Sequence, residues 1–302
     1  MSRPVEELAK AVGRNARVDG SHATAIPRLT LYRTSTPTEH NAVVYVPSLC
    51  VVVQGAKEVV VGAEAYHYDP AKSVLVSVDL PATTRVVEAS ATRPCLAMRI
   101  ELDAAEVGEF LADGTVPEPS GPPSRGIGNT RVEPRLLDTV TRLVALLDTP
   151  ADVPALAPLV LREVSYRLLT GPDGACVRRI VAPSAPKHRI ARAIHWLKEH
   201  YDEPARVDEL AKRVGLSSSA FHLHFKAVTG LSPLQYQKRF RLLEARGLML
   251  NEGLDAAEAA FRVGYESPSQ FGREYRRLFG ASPRRDVAAL AETPSSLESP
   301  SP

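Results

Sequence analysis

The chain has 302 residues, 44% of them apolar, which suits about two globular domains. Its 37 Lys and Arg nearly balance its 35 Asp and Glu, but unevenly: residues 187–286 carry 18 basic against 12 acidic side chains, residues 1–186 carry 19 against 21, and the basic half suits a polyanionic partner. Three widely spaced cysteines, no apolar leader at the N-terminus and no apolar run of membrane-span length argue against disulfide-stapled, exported and membrane-spanning proteins, and set the expectation of a cytoplasmic protein.

In chain order, residues 5–12 have the spacing of one short helix, followed by polar loop to residue 25. The period then changes to two. Residues 29–33, 43–46, 49–53, 57–61, 65–68, 74–78, 85–88 and 96–102 are short, rich in Val, Ile, Thr and Tyr, and read as strands. Gly62-Ala63 reads as a hairpin turn, and Asp69-Pro70 and Leu80-Pro81 as further turns. Closely spaced strands without intervening helices predict a small barrel or a double-sheet sandwich.

Residues 104–111 read as a helix, 117–128 with their four prolines as a loop, and 133–147 and 154–169 as two helices. Leu136, Leu137, Val140, Leu143, Val144 and Leu147 cover more than half of the first of these two, which is enough for an interface beyond the core. Residues 171–186, with Gly171-Pro172-Asp173-Gly174 and Pro183-Ser184-Ala185-Pro186, read as a linker.

A helix over residues 190–201, with Ile190, Ile194 and Leu197 inward and Trp196 as a core residue, opens the C-terminal part. The stripe Val207, Leu210, Ala211, Val214 then runs into Gly215. A Ser-rich cap at 217–219 starts a second helix with Phe221, Phe225 and Val228 on one face, and the pair is a helix-turn-helix. The design recurs after about 50 residues. Val214-Gly215 matches Val263-Gly264, Phe221 matches Phe271, Phe225 matches Tyr275, and Gly230-Leu231-Ser232-Pro233 matches Gly280-Ala281-Ser282-Pro283. Between the copies, residues 233–250 read as one helix capped by Ser232, with Leu234, Phe240, Leu243 and Leu250 inward and Lys238, Arg239, Arg241 and Arg246 mostly outward. Residues 291–302 are rich in Pro and Ser and read as a disordered tail.

Two turns, two aromatic-bearing helices and a repeated Gly-x-Ser-Pro block at this spacing resemble the DNA-binding domain of the AraC-type (AraC/XylS) bacterial transcription regulators, over about residues 187–290. The strings Pro47-Ser48-Leu49-Cys50-Val51-Val52-Val53-Gln54-Gly55, Tyr68-Asp69-Pro70 and Val76-Ser77-Val78-Asp79-Leu80-Pro81 are similar to the cupin-like N-terminal domain of one subgroup, over about residues 25–170. The resemblance implies an α+β multidomain protein. It comprises an N-terminal arm (1–25), a cupin-like β-barrel with flanking helices for sensing and dimerisation (26–170), a linker (171–186), an all-α double helix-turn-helix domain (187–290) and the tail. It further implies a homodimer on double-stranded promoter DNA, a small-molecule effector of unstated identity, and RNA polymerase as a partner if the protein is an activator. Two alternatives stay open: a DNA-binding regulator whose barrel is only a dimerisation scaffold and, more remotely, a cupin enzyme.

In each second helix the DNA-facing side must lie opposite the core aromatics. At 100° per residue this turns Ser219, His222, Leu223 and Lys226 outward in the first copy, with Ser218 at the helix start as a further candidate contact, and Ser269, Gly272, Arg273 and Arg276 outward in the second. The first unit is held by Val207, Leu210, Gly215, Phe221 and Phe225, the second by Ala260, Gly264, Phe271 and Tyr275. Arg bonds guanine O6 and N7 in parallel, Ser and neutral His donate or accept, and Leu223 suits a thymine methyl. Lys226 and Arg276 suit phosphate. Many members of the resembled family carry Arg where Leu223 stands, so the first head departs from the commonest pattern.

His222 and His224 lie two apart on a helix, point about 200° away from each other and cannot share a metal ion, and His224 is expected inward. Many cupins bind metal through His-x-His and a following Glu, whereas Tyr66-His67-Tyr68 offers one His, and His22 and His40 lie in loops. No nucleophile triad, phosphate loop or paired carboxylate stands out, so neither cofactor nor enzymatic activity is expected. Cys50 and Cys95 read as buried apolar filling rather than reactive thiols.

Overall fold

Period-two patterning becomes two antiparallel sheets in the computed structural model, which describes residues 3–70, 72–112, 116, 125–181 and 189–292. The first sheet has the order β1 (Gly20–Ala23), β2 (Leu29–Thr34), β9 (Cys95–Glu101), β4 (Ser48–Gln54), β7 (Lys72–Val76), β10 (Ile127–Arg131). The second has the order β3 (Asn41–Tyr45), β8 (Leu80–Glu88), β5 (Ala56–Val61), β6 (Glu64–Tyr68). All eight expected strands are present.

Three local expectations are corrected. Residues 20–23 are a strand rather than polar loop, and residues 127–131 are a strand in and beyond the expected 117–128 loop, of which 117–124 lie outside the described residues. Both are edge strands, on β2 and β7. Their backbone groups are satisfied by a neighbour rather than announced by a local apolar pattern. Leu80-Pro81 is not a turn but opens β8, pairing with Tyr45 and Val44. Proline is tolerated at a strand's start.

Alternation along the first sheet separates two cores. Leu31, Leu49, Val51, Leu96, Met98 and Ile100 face outward onto helices. Tyr32, Cys50, Val52, Val74, Cys95 and Ala97 face inward, towards the second sheet. Strands β4 and β9 are therefore buried on both faces, which is why they read as unbroken apolar runs. The outer face is covered by α1 (Arg3–Asn15), longer than the expected 5–12, and by α3 (Pro134–Ala145) and α4 (Val153–Thr170); α2 (Ala104–Ala112) packs on α4.

The broad apolar face of α3 is used inside the protomer. Leu136, Leu137, Val140, Leu143 and Val144 are all buried, because α3 is gripped by α1 on one side and α4 on the other. Among the described residues of the helices that cover the first sheet, the exposed large apolar side chains lie on α4 instead, at Leu156, Leu159 and Tyr166. Within the stretch read as linker, α5 (Gly174–Val177) and a 3-10 turn (Arg178–Val181) are ordered against the same core through Cys176, Val177 and Ile180; residues 182–186 lie outside the described residues.

Among the described residues the C-terminal part is seven helices: α6 (Arg189–Glu199), α7 (Val207–Arg213), α8 (Ser218–Thr229), α9 (Pro233–Asn251), α10 (Ala256–Arg262), α11 (Pro268–Phe279) and α12 (Pro283–Glu292). Helix α12 extends two residues into the stretch read as tail, and residues 293–302 lie outside the described residues. Among the described residues no single helix is long and apolar enough to cross a membrane.

Candidate nucleic-acid interface

The sequence duplication is carried into backbone geometry. The turn between α7 and α8 is made by Gly215 (φ +71°) and that between α10 and α11 by Gly264 (φ +84°), both in the left-handed region where glycine alone is unstrained. Gly264 has a second reason to lack a side chain: a Cβ there would sit 2.0 Å from the Asp202 carbonyl oxygen. Each second helix starts on a serine cap. Ser217 accepts from the Ala220 N–H at 3.3 Å and Ser267 from the Gln270 N–H at 3.4 Å. Each ends on a left-handed glycine, Gly230 or Gly280. The cores match too: the Phe221 and Phe225 rings are 5.5 Å apart, and those of Phe271 and Tyr275 are 5.4 Å apart.

With these aromatics buried, Ser219, His222, Leu223 and Lys226 on α8 are exposed, as are Ser269, Arg273 and Arg276 on α11; Ser218 and Gly272 are half-buried. Leu210 and Ala260 are buried, and Val207 is half-buried. His224 is exposed, contrary to expectation. Helix α8 packs through the narrow stripe Phe221, Phe225, Val228, which leaves most of its circumference open. Arg277, which the sequence reading passed over, is also exposed; it lies four residues after Arg273, and helical spacing alone could have found it. Glu274 does not cancel this basic face, because its carboxylate turns back towards α9. Although partial burial opposes it, hydrogen bonds from Lys238 (2.6 Å), the Tyr265 hydroxyl (2.8 Å) and Gln270 (3.2 Å) hold that carboxyl below its ordinary range.

Helix α9 spaces the two units, and it starts on a capping box between Ser232 and Gln235. Phe240 and Leu243 are inward as expected, but Leu234 and Leu250 are exposed. Tyr236, Leu242, Ala245 and Met249 are buried in their place. Two arginines expected outward are drawn in. Arg241 donates to the carbonyls of Tyr201, Asp202 and Glu203 beside the first unit and to that of Gly264 in the second, so one guanidinium ties both units together. Arg246 is buried. It donates to both oxygens of Asp286 (2.8 and 3.0 Å) and to Asn41 Oδ1 and the Ala42 carbonyl on β3, with the Phe279 ring 4.4 Å away. Helix α9 rests on β3 and β8, and the buried Tyr236 hydroxyl donates to the Asp79 carbonyl at 2.8 Å.

No group of three or more His, Cys, Asp or Glu among the described residues could hold a metal ion, and His67 faces solvent. Cys50, Cys95 and Cys176 are free and buried. Burial pushes the Cys95 and Cys176 thiols up to about 11, so at pH 8 roughly one in a thousand is thiolate. Iodoacetamide at pH 8 should therefore label Cys95 and Cys176 in the native chain at least a hundredfold more slowly than in urea, read by intact mass; fast native labelling would contradict the burial.

Two helix-turn-helix units on one spacing helix, joined to a two-sheet domain, define the class: a two-headed DNA-binding protein with an accessory β-domain. Residues 25–176 match the family described as AraC-type transcriptional regulator N-terminus, and residues 210–288 match a helix-turn-helix domain family. The chain belongs to the AraC-type transcriptional regulators. It is 29% identical over 155 residues to the HTH-type transcriptional activator RhaS of Escherichia coli O1:K1, covering 51% of this chain and 55% of that protein. It is equally similar over 157 residues to RhaS of Salmonella schwarzengrund. The chain thus spans about half the length of the curated relatives it matches. Its fold is similar to ToxT from Vibrio cholerae solved with an unsaturated fatty acid bound, with a TM-score of 0.57 at 10% identity over 88% of this chain and 96% of that one.

Proposed function

We propose that this protein binds promoter DNA sequence-specifically through α8 and α11 as two reading heads, and that the β-domain senses a small molecule. The observation that carries the first part is the repeated geometry: two equivalent helices each turn a polar, exposed face away from an aromatic core, at a separation fixed by α9 and Arg241. The heads should enter successive major grooves on one face of the duplex, about 34 Å apart, so the site of one protomer is not palindromic. The second part is supported by the family and by ToxT, which shares the fold and has been solved with a fatty acid bound. The exposed stripe Leu156, Leu159, Tyr166 on α4 is the surface we assign to a homodimer contact. RNA polymerase is the further partner if the protein activates, as the relatives' names state for them.

The heads should differ chemically. Arg273, Arg276 and Arg277 make the second head strongly basic, whereas the first presents Ser219, His222 and Leu223 with Lys226 as its cation. Arg273→Ala should lose about 1–3 kcal/mol at the operator and relax preference at one base pair, guanine being the expected base. Lys226→Ala should weaken binding to all sequences alike and flatten the salt dependence by about one unit of slope. Both variants are titrated against the operator and a scrambled duplex across a salt series. Equal loss on both duplexes for Arg273→Ala would make Arg273 a phosphate contact and remove base reading from the second head.

A further inference from the structure

The two helix-turn-helix units are joined to the β-domain by different means. At the first unit the joint is apolar and continuous: Val61, Val78 and Ile127 of the β-domain belong to one buried core with Val228, Leu231 and Tyr236. The backbones meet as well. The Gly126 N–H donates to the Val228 carbonyl at 3.0 Å. The turn between β5 and β6 closes on the end of α8 so tightly that a Cβ on Gly62 would come within 2.4 Å of the Gly230 carbonyl oxygen. Close-packed contacts of this kind leave the first unit little freedom against the β-domain.

Among the described residues the second unit keeps a buried core of its own, with Ala245, Met249, Val263, Phe271 and Tyr275. It meets the β-domain through a polar tie. Strand β3 is the edge of the second sheet, and an edge strand leaves backbone carbonyls for other partners. Arg246 Nη1 donates to the carbonyl of Ala42 at 3.2 Å and to Asn41 Oδ1 at 2.6 Å, a charge-assisted bond. The rest of the same planar guanidinium is held by Asp286, which also accepts from the Tyr275 hydroxyl at 2.7 Å. Three hydrogen-bonded steps thus lead from Asn41 to α11, where Tyr275 is the chain neighbour of Arg276.

The tie makes a second link between the heads, beside α9. Helix α9 and Arg241 hold the heads apart, but a single link leaves rotation about its axis soft, and a second link away from that axis removes it. The β-domain does this without covering either reading face: Ser219, His222, Leu223 and Lys226 on α8 and Arg273 and Arg276 on α11 are exposed with the domain in place. We propose that Asn41 is a positioning residue for DNA reading, which fixes through Arg246 and Asp286 the orientation of α11 relative to α8, so that the β-domain sets the register in which the two heads meet the duplex. The proposal rests on α8 and α11 being the reading heads. A head oriented in advance has less freedom to lose on binding, and this favours one spacing of the two DNA segments over others.

The test uses the full chain and an operator that the wild type selects from a pool of random duplexes, together with the same operator lengthened by one base pair between the two protected segments. The insertion moves the second segment by about 3.4 Å and turns it by about 34–36°. Wild type should bind the lengthened duplex about tenfold or more weakly than the original. Asn41→Leu keeps the volume and removes the acceptor. It should bind the original operator about threefold to tenfold more weakly than wild type, and lose less than about threefold further on the insertion. Asn41→Asp keeps an acceptor for Arg246 and should retain the wild-type penalty. The proposal is overturned if the wild type is indifferent to the insertion. It is overturned if Asn41→Leu weakens both duplexes alike, since Asn41 then serves stability and not register, or if Asn41→Leu melts well below the wild type. Asn41→Asp behaving as Asn41→Leu overturns it too, because the acceptor then plays no part. A selected operator with a single protected segment removes the two-headed reading, and the proposal with it; two segments with an unchanged penalty in Asn41→Leu keep that reading and remove the proposal.

Discussion

Leu243→Pro should abolish specific DNA binding. Position 243 lies mid-way along α9 and is buried. Proline there removes the N–H that closes the bond to the residue 239 carbonyl, clashes with that carbonyl, and costs about 3 kcal/mol or more. What is lost is more than local stability, because α9 carries the chain from the first unit to the second and, with Arg241, sets the distance between them. The matched control is Leu243→Ala, which loses about 2–5 kcal/mol of packing but keeps the helix. Fluorescence anisotropy against operator and scrambled DNA, with far-UV circular dichroism to follow the helices, separates the two effects. Leu243→Ala should still prefer the operator and Leu243→Pro should not. Wild-type operator affinity in the proline variant would remove α9 as a rigid spacer.

Arg246→Met should be nearly as severe, through stability rather than spacing. Arg246 joins α9 to α12 through Asp286, to the Phe279 ring at the end of α11, and to β3 through Asn41 and Ala42. Its removal strands the Asp286 carboxylate, about a tenth exposed, with only the Tyr275 hydroxyl still donating to it at 2.7 Å. Breaking a buried pair from one side costs about 3–5 kcal/mol, a large part of the roughly 5–15 kcal/mol that holds a domain folded. Urea unfolding should show this loss, centred on the second head. The double variant Arg246→Met with Asp286→Leu should recover part of it, because both ends of the pair are then neutral. If the double variant is no better than the single one, the guanidinium matters through Asn41 and Phe279 rather than through Asp286.

The contrast between Arg246 and its neighbours shows where reading along the chain reaches its limit. Phe221, Phe225, Phe271 and Tyr275 were legible as core because each pair sits four residues apart on a helix with a single buried face. Helix α9 is touched by α8, α10, α11, α12 and two strands, so buried positions occur all round it and no single stripe survives. Leu234 and Leu250 could then fall on open surface while Arg241 and Arg246 were drawn in. The candidate contacts on α8 and α11 followed from the aromatic positions, and His224 was misplaced only because the buried face of α8 is narrower than a half-cylinder.

The sequence by itself determined the eight principal strands, the duplicated helix-turn-helix with its glycine turns and serine caps, and the polar faces opposite the aromatic cores. Each of these is written within a few residues, as a period of two or 3.6, a left-handed glycine or a capping side chain, so local sterics and hydrogen bonding suffice to state it. The tertiary structure alone decided that β1 and β10 are strands, that α3 spends its broad apolar face inside the protomer while α4 leaves one open, and that Arg241 ties both heads. It alone decided, too, that Asn41 on β3 meets Arg246 on α9. These features depend on which surfaces come to face each other once distant segments pack. A burial or a charge encounter between residues far apart in the chain has no local signature, because its free energy exists only after the segments have met.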